Sequence, residues 1–131
     1  MAKKIKLLIV EDDESLLNLY NMALGDDMFE KHTATNGLAA VREYASWKPD
    51  IIILDILMPK MLGYSVLKEI RELHGDSRTT IIVSSSVDTE ADIEYCREQG
   101  IQGYIIKPFD HKTLAGEILA YHEKAIGRDL S

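Results

Sequence analysis

Four short polar features interrupt an otherwise apolar pattern, and their residue types suit phosphoryl chemistry. They are Glu11-Asp12-Asp13, the single charge Asp55 at the end of an apolar run, the hydroxyl Ser85, and Lys107 before Pro108. Two or three carboxylates brought within a few ångströms repel one another. They coexist ionised when a hard divalent cation sits among them, and Mg2+ needs only a few oxygen ligands because it keeps several waters. One oxygen of Asp55 is then left as a nucleophile toward phosphorus. Ser85 and Lys107 are suited to hold phosphoryl oxygens, and positioning with charge neutralisation is most of what phosphoryl transfer needs.

Such a site requires residues far apart in sequence to meet, so the elements must bring them together. Apolar runs at residues 5–10, 50–55, 81–85 and 103–106 read as strands, with a weaker one at 30–35. Between them lie segments with helical spacing: Leu16, Leu19, Tyr20, Ala23 and Leu24; Leu38, Val41, Tyr44 and Ala45; Val66, Leu67, Ile70 and Leu73; Ile93 and Cys96; Leu114, Ile118, Leu119 and Tyr121. Asp13 or Ser15 can cap the first helix and Asp88 or Thr89 the fourth. Gly25, Pro49 and Gly100 end helices, and the last one is predicted from about residue 110 to 125. Five strands alternating with five helices imply an α/β fold, a parallel sheet with helices on both faces. The carboxyl ends of all its strands then lie along one edge, where such folds bind ligands.

The chain has 131 residues, 46% apolar and 28% charged, which predicts one globular domain over 1–131 with a core at about 4–123 and a frayed tail at 127–131. A net charge of −7 argues against direct nucleic-acid binding, which needs a basic surface. The lone Cys96 allows no internal disulfide and is read as a small core residue. The apolar run after Lys3-Lys4 is too short for a signal core, and the run at 51–58 is too short to insert in a membrane. The expected compartment is the cytoplasm. His32, His74, His111 and His122 show no ligand spacing and are predicted at the surface, while Trp47 packs the end of the second helix.

Taken together, Ile9-Val10-Glu11-Asp12-Asp13, Leu54-Asp55-Ile56-Leu57-Met58-Pro59, Ser84-Ser85-Ser86 and Tyr104-Ile105-Ile106-Lys107-Pro108-Phe109 resemble the receiver domain of bacterial two-component response regulators, the family that includes the chemotaxis response regulator. The resemblance covers about residues 4–123. It implies a flavodoxin-like (βα)5 fold with strand order 2-1-3-4-5. It makes Asp55 the phosphoacceptor and a Mg2+ ligand with Asp12 and the Leu57 carbonyl, while Glu11 assists through water. Ser85 and Lys107 would hold the phosphoryl group, and Tyr104 would turn inward as Ser85 moves. Ser85 is preferred over its neighbours because it stands thirty positions after Asp55. Ser84 should point the other way. The peptide before Pro108 is usually cis in the family, which would aim Lys107 into the cleft. Leu62-Gly63, where the family often has Asp-Gly, is read as a surface departure.

The function so implied is a signalling switch and not an enzyme, apart from assisting its own phosphorylation and dephosphorylation. A histidine kinase or histidine phosphotransfer protein would supply the phosphoryl group. The output would be a change in affinity for an unnamed downstream protein, and a phosphorylation-dependent dimer is compatible with it. With no output domain after the last helix, the chain is expected to be a stand-alone switch, a relay intermediate or a receiver cut from a longer regulator or hybrid kinase. That helix lacks the arginine-rich end common in receivers fused to winged-helix DNA-binding domains. Two other readings fit less well. An aspartyl-phosphate phosphohydrolase of the haloacid-dehalogenase type needs a second acid two residues after the nucleophile, where this chain has Leu57. A flavin-binding protein needs a hydroxyl- and glycine-rich loop where this chain has Glu11-Asp12-Asp13. In receivers, the side chains two positions after the acceptor and two after the hydroxyl residue border the path of hydrolytic water. Here they are Leu57 and Val87, which cannot orient water, so a long phosphate lifetime is expected.

Overall fold

The chain alternates strand and helix throughout. The structure, a computed structural model, describes residues 3–57 and 63–129. Met58, Pro59 and Leu62 lie outside the described residues. The elements are β1 (Ile5–Val10), α1 (Glu14–Ala23), β2 (Phe29–Ala34), α2 (Gly37–Trp47), β3 (Ile51–Leu54), α3 (Gly63–Lys68), β4 (Thr80–Ser85), α4 (Glu90–Glu98), β5 (Gly103–Ile106) and α5 (Leu114–Asp129). The strands form one parallel sheet in the order β2-β1-β3-β4-β5. This is the flavodoxin-like arrangement expected above.

The central strands are continuous apolar runs because both faces of the sheet are covered. Strand side chains alternate, so each strand feeds two cores. Leu8, Val10, Ile52, Leu54 and Ile81 pack with Ala40 and Tyr44 of α2 and with Val66 and Leu67 of α3. Leu7, Ile9, Ile51, Ile53 and Ile82 pack on the other face with Tyr20 of α1 and with Leu114 and Ile118 of α5. Buried Cys96 closes a smaller cluster with Ile56 and Val83 under α4. The same alternation sends Ser84 and Ser85 to opposite faces.

Local chemistry sets the helix starts. Asp13, not Ser15, caps α1, accepting from the N–H groups of Ser15 at 2.8 Å and Leu16 at 3.2 Å. Asn36 caps α2 through the Ala39 N–H at 2.9 Å, and Thr89 rather than Asp88 caps α4. Lys48 ends α2 in a left-handed conformation before Pro49.

Several boundaries differ from expectation. β2 begins at Phe29 because that ring is buried and pairs with Ile5. α5 begins at Leu114 instead of near residue 110. Asp110 folds the preceding residues into a turn, its carboxylate accepting from the Lys112 N–H at 2.9 Å and its carbonyl from the Thr113 N–H at 3.2 Å. At its other end α5 runs to Asp129, past Gly127, where the sequence predicts fraying. The third helix continues past Lys68 as a π-helical turn, Glu69–Leu73, in which the His74 N–H reaches the Glu69 carbonyl at 3.0 Å. His32 and His122 are half-buried rather than free at the surface. His32 stacks on Trp47 with ring centroids 3.6 Å apart and also contacts Glu43. His122 Nδ1 lies 2.8 Å from the Thr80 hydroxyl.

Near the amino-terminal end of β4, polar side chains tie the elements together. Arg71 donates to the carbonyls of Gly100 (2.8 Å), Asp76 (2.8 Å) and Thr79 (2.7 Å), and to the Gln102 side chain (2.8 Å). The Asp76 carboxylate accepts from the Tyr44 hydroxyl at 2.6 Å, from the Thr79 hydroxyl, and from the N–H groups of Arg78 and Thr79. Burial alone would raise the Asp76 pKa, but these hydrogen bonds outweigh it and hold the carboxyl well below its ordinary 3.8. A depressed carboxyl pKa contributes stability that is present above 3.8 and is lost as pH falls below it. Asp76→Asn should therefore lower stability at pH 7 by about 1–3 kcal/mol and flatten the acid-side loss, read by urea unfolding at pH 7 and pH 3.

Gly63 opens α3 with its N–H on the Ile56 carbonyl at 2.8 Å. It is buried, and a Cβ there would collide with the Asp55 carbonyl oxygen and the Ile56 Cα. Glycine is needed for this close approach of backbone to backbone. Gly63→Ala is expected to cost about 1–3 kcal/mol through overpacking, measurable as a lower urea midpoint with an unchanged m-value.

Candidate functional site

Glu11, Asp55, Ser85 and Lys107 lie at, or one position beyond, the carboxyl end of a strand, where backbone hydrogen bonds tie them to neighbouring segments of the chain, and Asp12 follows Glu11 directly. The Glu11 N–H bonds the Ala34 carbonyl at 3.0 Å, the Asp55 N–H the Val10 carbonyl at 3.0 Å, and the Lys107 N–H the Ser85 carbonyl at 2.9 Å. The parallel sheet therefore delivers Glu11, Asp55, Ser85 and Lys107 to one edge. β1 is flanked there by β2 on one side and β3 on the other, the reversal point of the strand order.

Glu11 is 1% exposed and Asp55 6%, whereas Asp12 is exposed. One carboxylate oxygen from each lies within 4.8 Å of the others. Lys107 reaches in between, its Nζ 2.6 Å from Glu11 Oε1 and 3.4 Å from Asp55 Oδ2. The second oxygen of Glu11 accepts from the N–H groups of Asp12 (3.1 Å) and Asp13 (3.2 Å). Asp55 Oδ1 accepts from the Leu57 N–H at 3.1 Å. Burial pushes the Glu11 pKa above its ordinary value, and the nearby Asp55 charge adds to this. The Lys107 ammonium and the Asp13 N–H act the other way. Three carboxylates against one ammonium leave this corner electronegative. The donors are all oxygens, so the cluster fits a hard divalent cation.

The other side of the edge carries the hydroxyl groups. Ser85 is fully buried, and its Oγ accepts from the Val87 N–H at 3.1 Å. The Tyr104 hydroxyl donates to the Val87 carbonyl. Val87 is thus held from both sides, by Ser85 and by Tyr104. The Tyr104 ring packs on Ile56, Val83 and Cys96. Leu57, 54% exposed, stands beside Asp55. The Lys107–Pro108 peptide is cis.

From sequence Asp13 suits an N-cap or an outer carboxylate of the site, and in the structure it caps α1. Sequence reasoning did not foresee that Lys107 pairs with Glu11, nor that Ser84 takes a buried hydrogen bond from Tyr20 at 2.8 Å. A hydroxyl in an apolar strand and a tyrosine on the apolar face of a helix were the available signals. Of the pair expected at the surface, Leu62 lies outside the described residues, and Gly63 is instead buried against Asp55 and Ile56, where the start of α3 meets the end of β3. Among the described residues no helix is long and apolar enough to cross a membrane.

The sequence profile of the response regulator receiver domain matches residues 7–119. Chemotaxis protein CheY of Halobacterium salinarum is 33% identical over 118 residues, covering 90% of this chain and 95% of that protein. A probable transcriptional regulator, ycf27 of Guillardia theta, is 37% identical over 120 residues, covering 92% of this chain but 46% of its own length. Regulatory protein AtoC of Escherichia coli matches over 80% of this chain and 22% of its own length. The chain therefore spans half or less of several curated relatives. Among solved structures, chemotaxis response regulator CheY4 of Vibrio cholerae superposes with a TM-score of 0.83 at 26% identity, covering 91% of this chain and 99% of that one. The CheX-CheY-BeF3-Mg2+ complex of Borrelia burgdorferi gives 0.82 at 28% identity, covering 88% and 87%. The ordered carboxylates, hydroxyl and lysine on a 2-1-3-4-5 sheet, together with these matches, place the chain in the response regulator receiver domain family, whose members work as phosphoacceptor switches.

Proposed function

We propose that Asp55 accepts a phosphoryl group from a histidine kinase or histidine phosphotransfer protein, and that the chain switches its affinity for a downstream protein in response. The observation that carries this reading is the position of Asp55. It faces two other carboxylates, touches the Lys107 ammonium, and keeps more exposure than Glu11. In the transfer, an Asp55 oxygen bonds to phosphorus as the donor's N–P bond breaks and the imidazole leaves. Lys107 moves from the carboxylates to the incoming phosphoryl oxygens, and Ser85 gives up the Val87 N–H to donate to one of them. Asp12, Asp55 and the Leu57 carbonyl would hold Mg2+, with Glu11 acting through water. When bound, the ion neutralises the phosphoryl oxygens.

Release of Val87 by Ser85 links the site to Tyr104, since both hold the same residue. The α4–β5–α5 surface, with Tyr95 and Ile106 exposed, would change shape by this route. The change is a shift between two populated states. Phosphorylation-dependent self-association would use the same surface. Relatives that are about twice this length include transcriptional regulators, so output through a further domain of a longer protein is the other form the switch would take.

Intact mass after incubation with acetyl phosphate and Mg2+ should show one phosphoryl adduct on the wild type and none on Asp55→Asn. An unmodified wild type would overturn the proposal. The lifetime of the adduct rests on Leu57 and Val87, apolar side chains beside the approach of water to phosphorus. Leu57→Asn supplies a group that can orient water and should speed loss of the adduct severalfold, followed by mass against time after removal of the donor.

A further inference from the structure

One buried polar pair at this end of the molecule belongs to no part of the mechanism above. The Tyr20 hydroxyl donates to Ser84 Oγ at 2.8 Å, and each residue is 1% exposed. The same ring meets Phe109 with centroids 4.9 Å apart. Tyr20 sits on α1, whose cap Asp13 follows Asp12 directly. Ser84 precedes Ser85, and Phe109 lies two residues after Lys107. A single side chain therefore touches the residue just before Ser85 and the one two positions after Lys107, from the helix that follows the acidic corner.

Strand alternation gives this contact its meaning. Ser85 faces the site and Ser84 faces α1, so the hydrogen bond grips β4 from the far side at the point where Ser85 must stay in register. The bond is sealed from water, where a lost partner leaves an unsatisfied hydroxyl. Burial raises the Tyr20 pKa. The bond to Ser84 opposes this, and the charges of Glu11 and Asp55 add to it, so the phenol remains a donor at any working pH. Phe109 rests on the ring of that phenol, which steadies the chain just beyond Lys107.

We propose that Tyr20 is a positioning residue for phosphoryl transfer, acting through Ser84 on Ser85 and through Phe109 on Lys107. The proposal rests on the phosphoacceptor reading of Asp55. Because the Tyr20 hydroxyl bonds Ser84 and not a carboxylate, its effect should separate from metal binding.

The test compares wild type, Tyr20→Phe, Ser84→Ala and the double variant. Phosphorylation by acetyl phosphate at saturating Mg2+ is followed by intact mass, Mg2+ affinity by calorimetry, and amide hydrogen exchange by NMR. Tyr20→Phe should slow phosphorylation severalfold with Mg2+ affinity unchanged, and the double variant should be no slower than either single one. Exchange at the N–H groups of Val87 and Lys107, both bonded to Ser85, should quicken while that of Asp55 does not. Unchanged phosphorylation with only a lower urea midpoint would overturn the proposal, as would additive effects of the two substitutions. A wild type that takes no phosphate would overturn the phosphoacceptor reading and this role with it. That failure is distinguished from failure of the Tyr20–Ser84 clamp by the exchange rates, which need no phosphate.

Discussion

Two carboxylates, Glu11 and Asp55, are buried at the ends of adjacent parallel strands, and much of the surrounding edge answers the cost of keeping them there. Unpaired charges in so dry a place would be prohibitive. The Lys107 ammonium at 2.6 Å and 3.4 Å offsets part of that cost, and backbone N–H groups occupy the second oxygen of each acid. The balance is deliberately incomplete in charge: Asp12 adds a third negative group at the rim. A corner that is satisfied in hydrogen bonds yet electronegative is suited to take up cationic charge and to give up its lysine to an incoming anion.

The sheet divides its labour between its two ends. Near the amino-terminal end of β4, Arg71 and Asp76 are wrapped in partners from α2, the segment leading into β4 and the α4–β5 connection. At the carboxyl edge, hydrogen bonds are held by the groups that the proposed transfer would redeploy: Lys107 on Glu11, and Ser85 on the Val87 N–H. A switch requires contacts with an alternative, and in the proposed cycle rigid packing elsewhere would confine movement to them.

How much could be read without coordinates varied by element. The apolar runs marked β1, β3 and β4 because strands covered on both faces need no alternation, while β5 was marked by a shorter apolar run although its burial alternates at the sheet edge. Cap positions were narrowed to pairs such as Asp13 or Ser15, since either side chain can bond a free N–H and only the backbone path chooses. The start of α5 was misplaced because Asp110 looks like a cap but closes a turn instead. The π turn after Lys68 left no local signal, and neither did the stacking of His32 on Trp47.

The sequence alone determined that Glu11, Asp12, Asp55, Ser85 and Lys107 fall at strand ends and in the order of one family, because apolar periodicity and spacing are local properties of the chain. It determined as well that Ser84 and Ser85 must part ways, since neighbours on a strand face opposite sides. Only the tertiary structure decided which charge meets which. Lys107 lies 96 residues from Glu11, and their contact depends on strand order and register. The bond from Tyr20 to Ser84 spans 64 residues and is a product of packing α1 onto the sheet. Hydrogen bonds and ion pairs act over a few ångströms, a precision that residue spacing cannot supply and a folded sheet can.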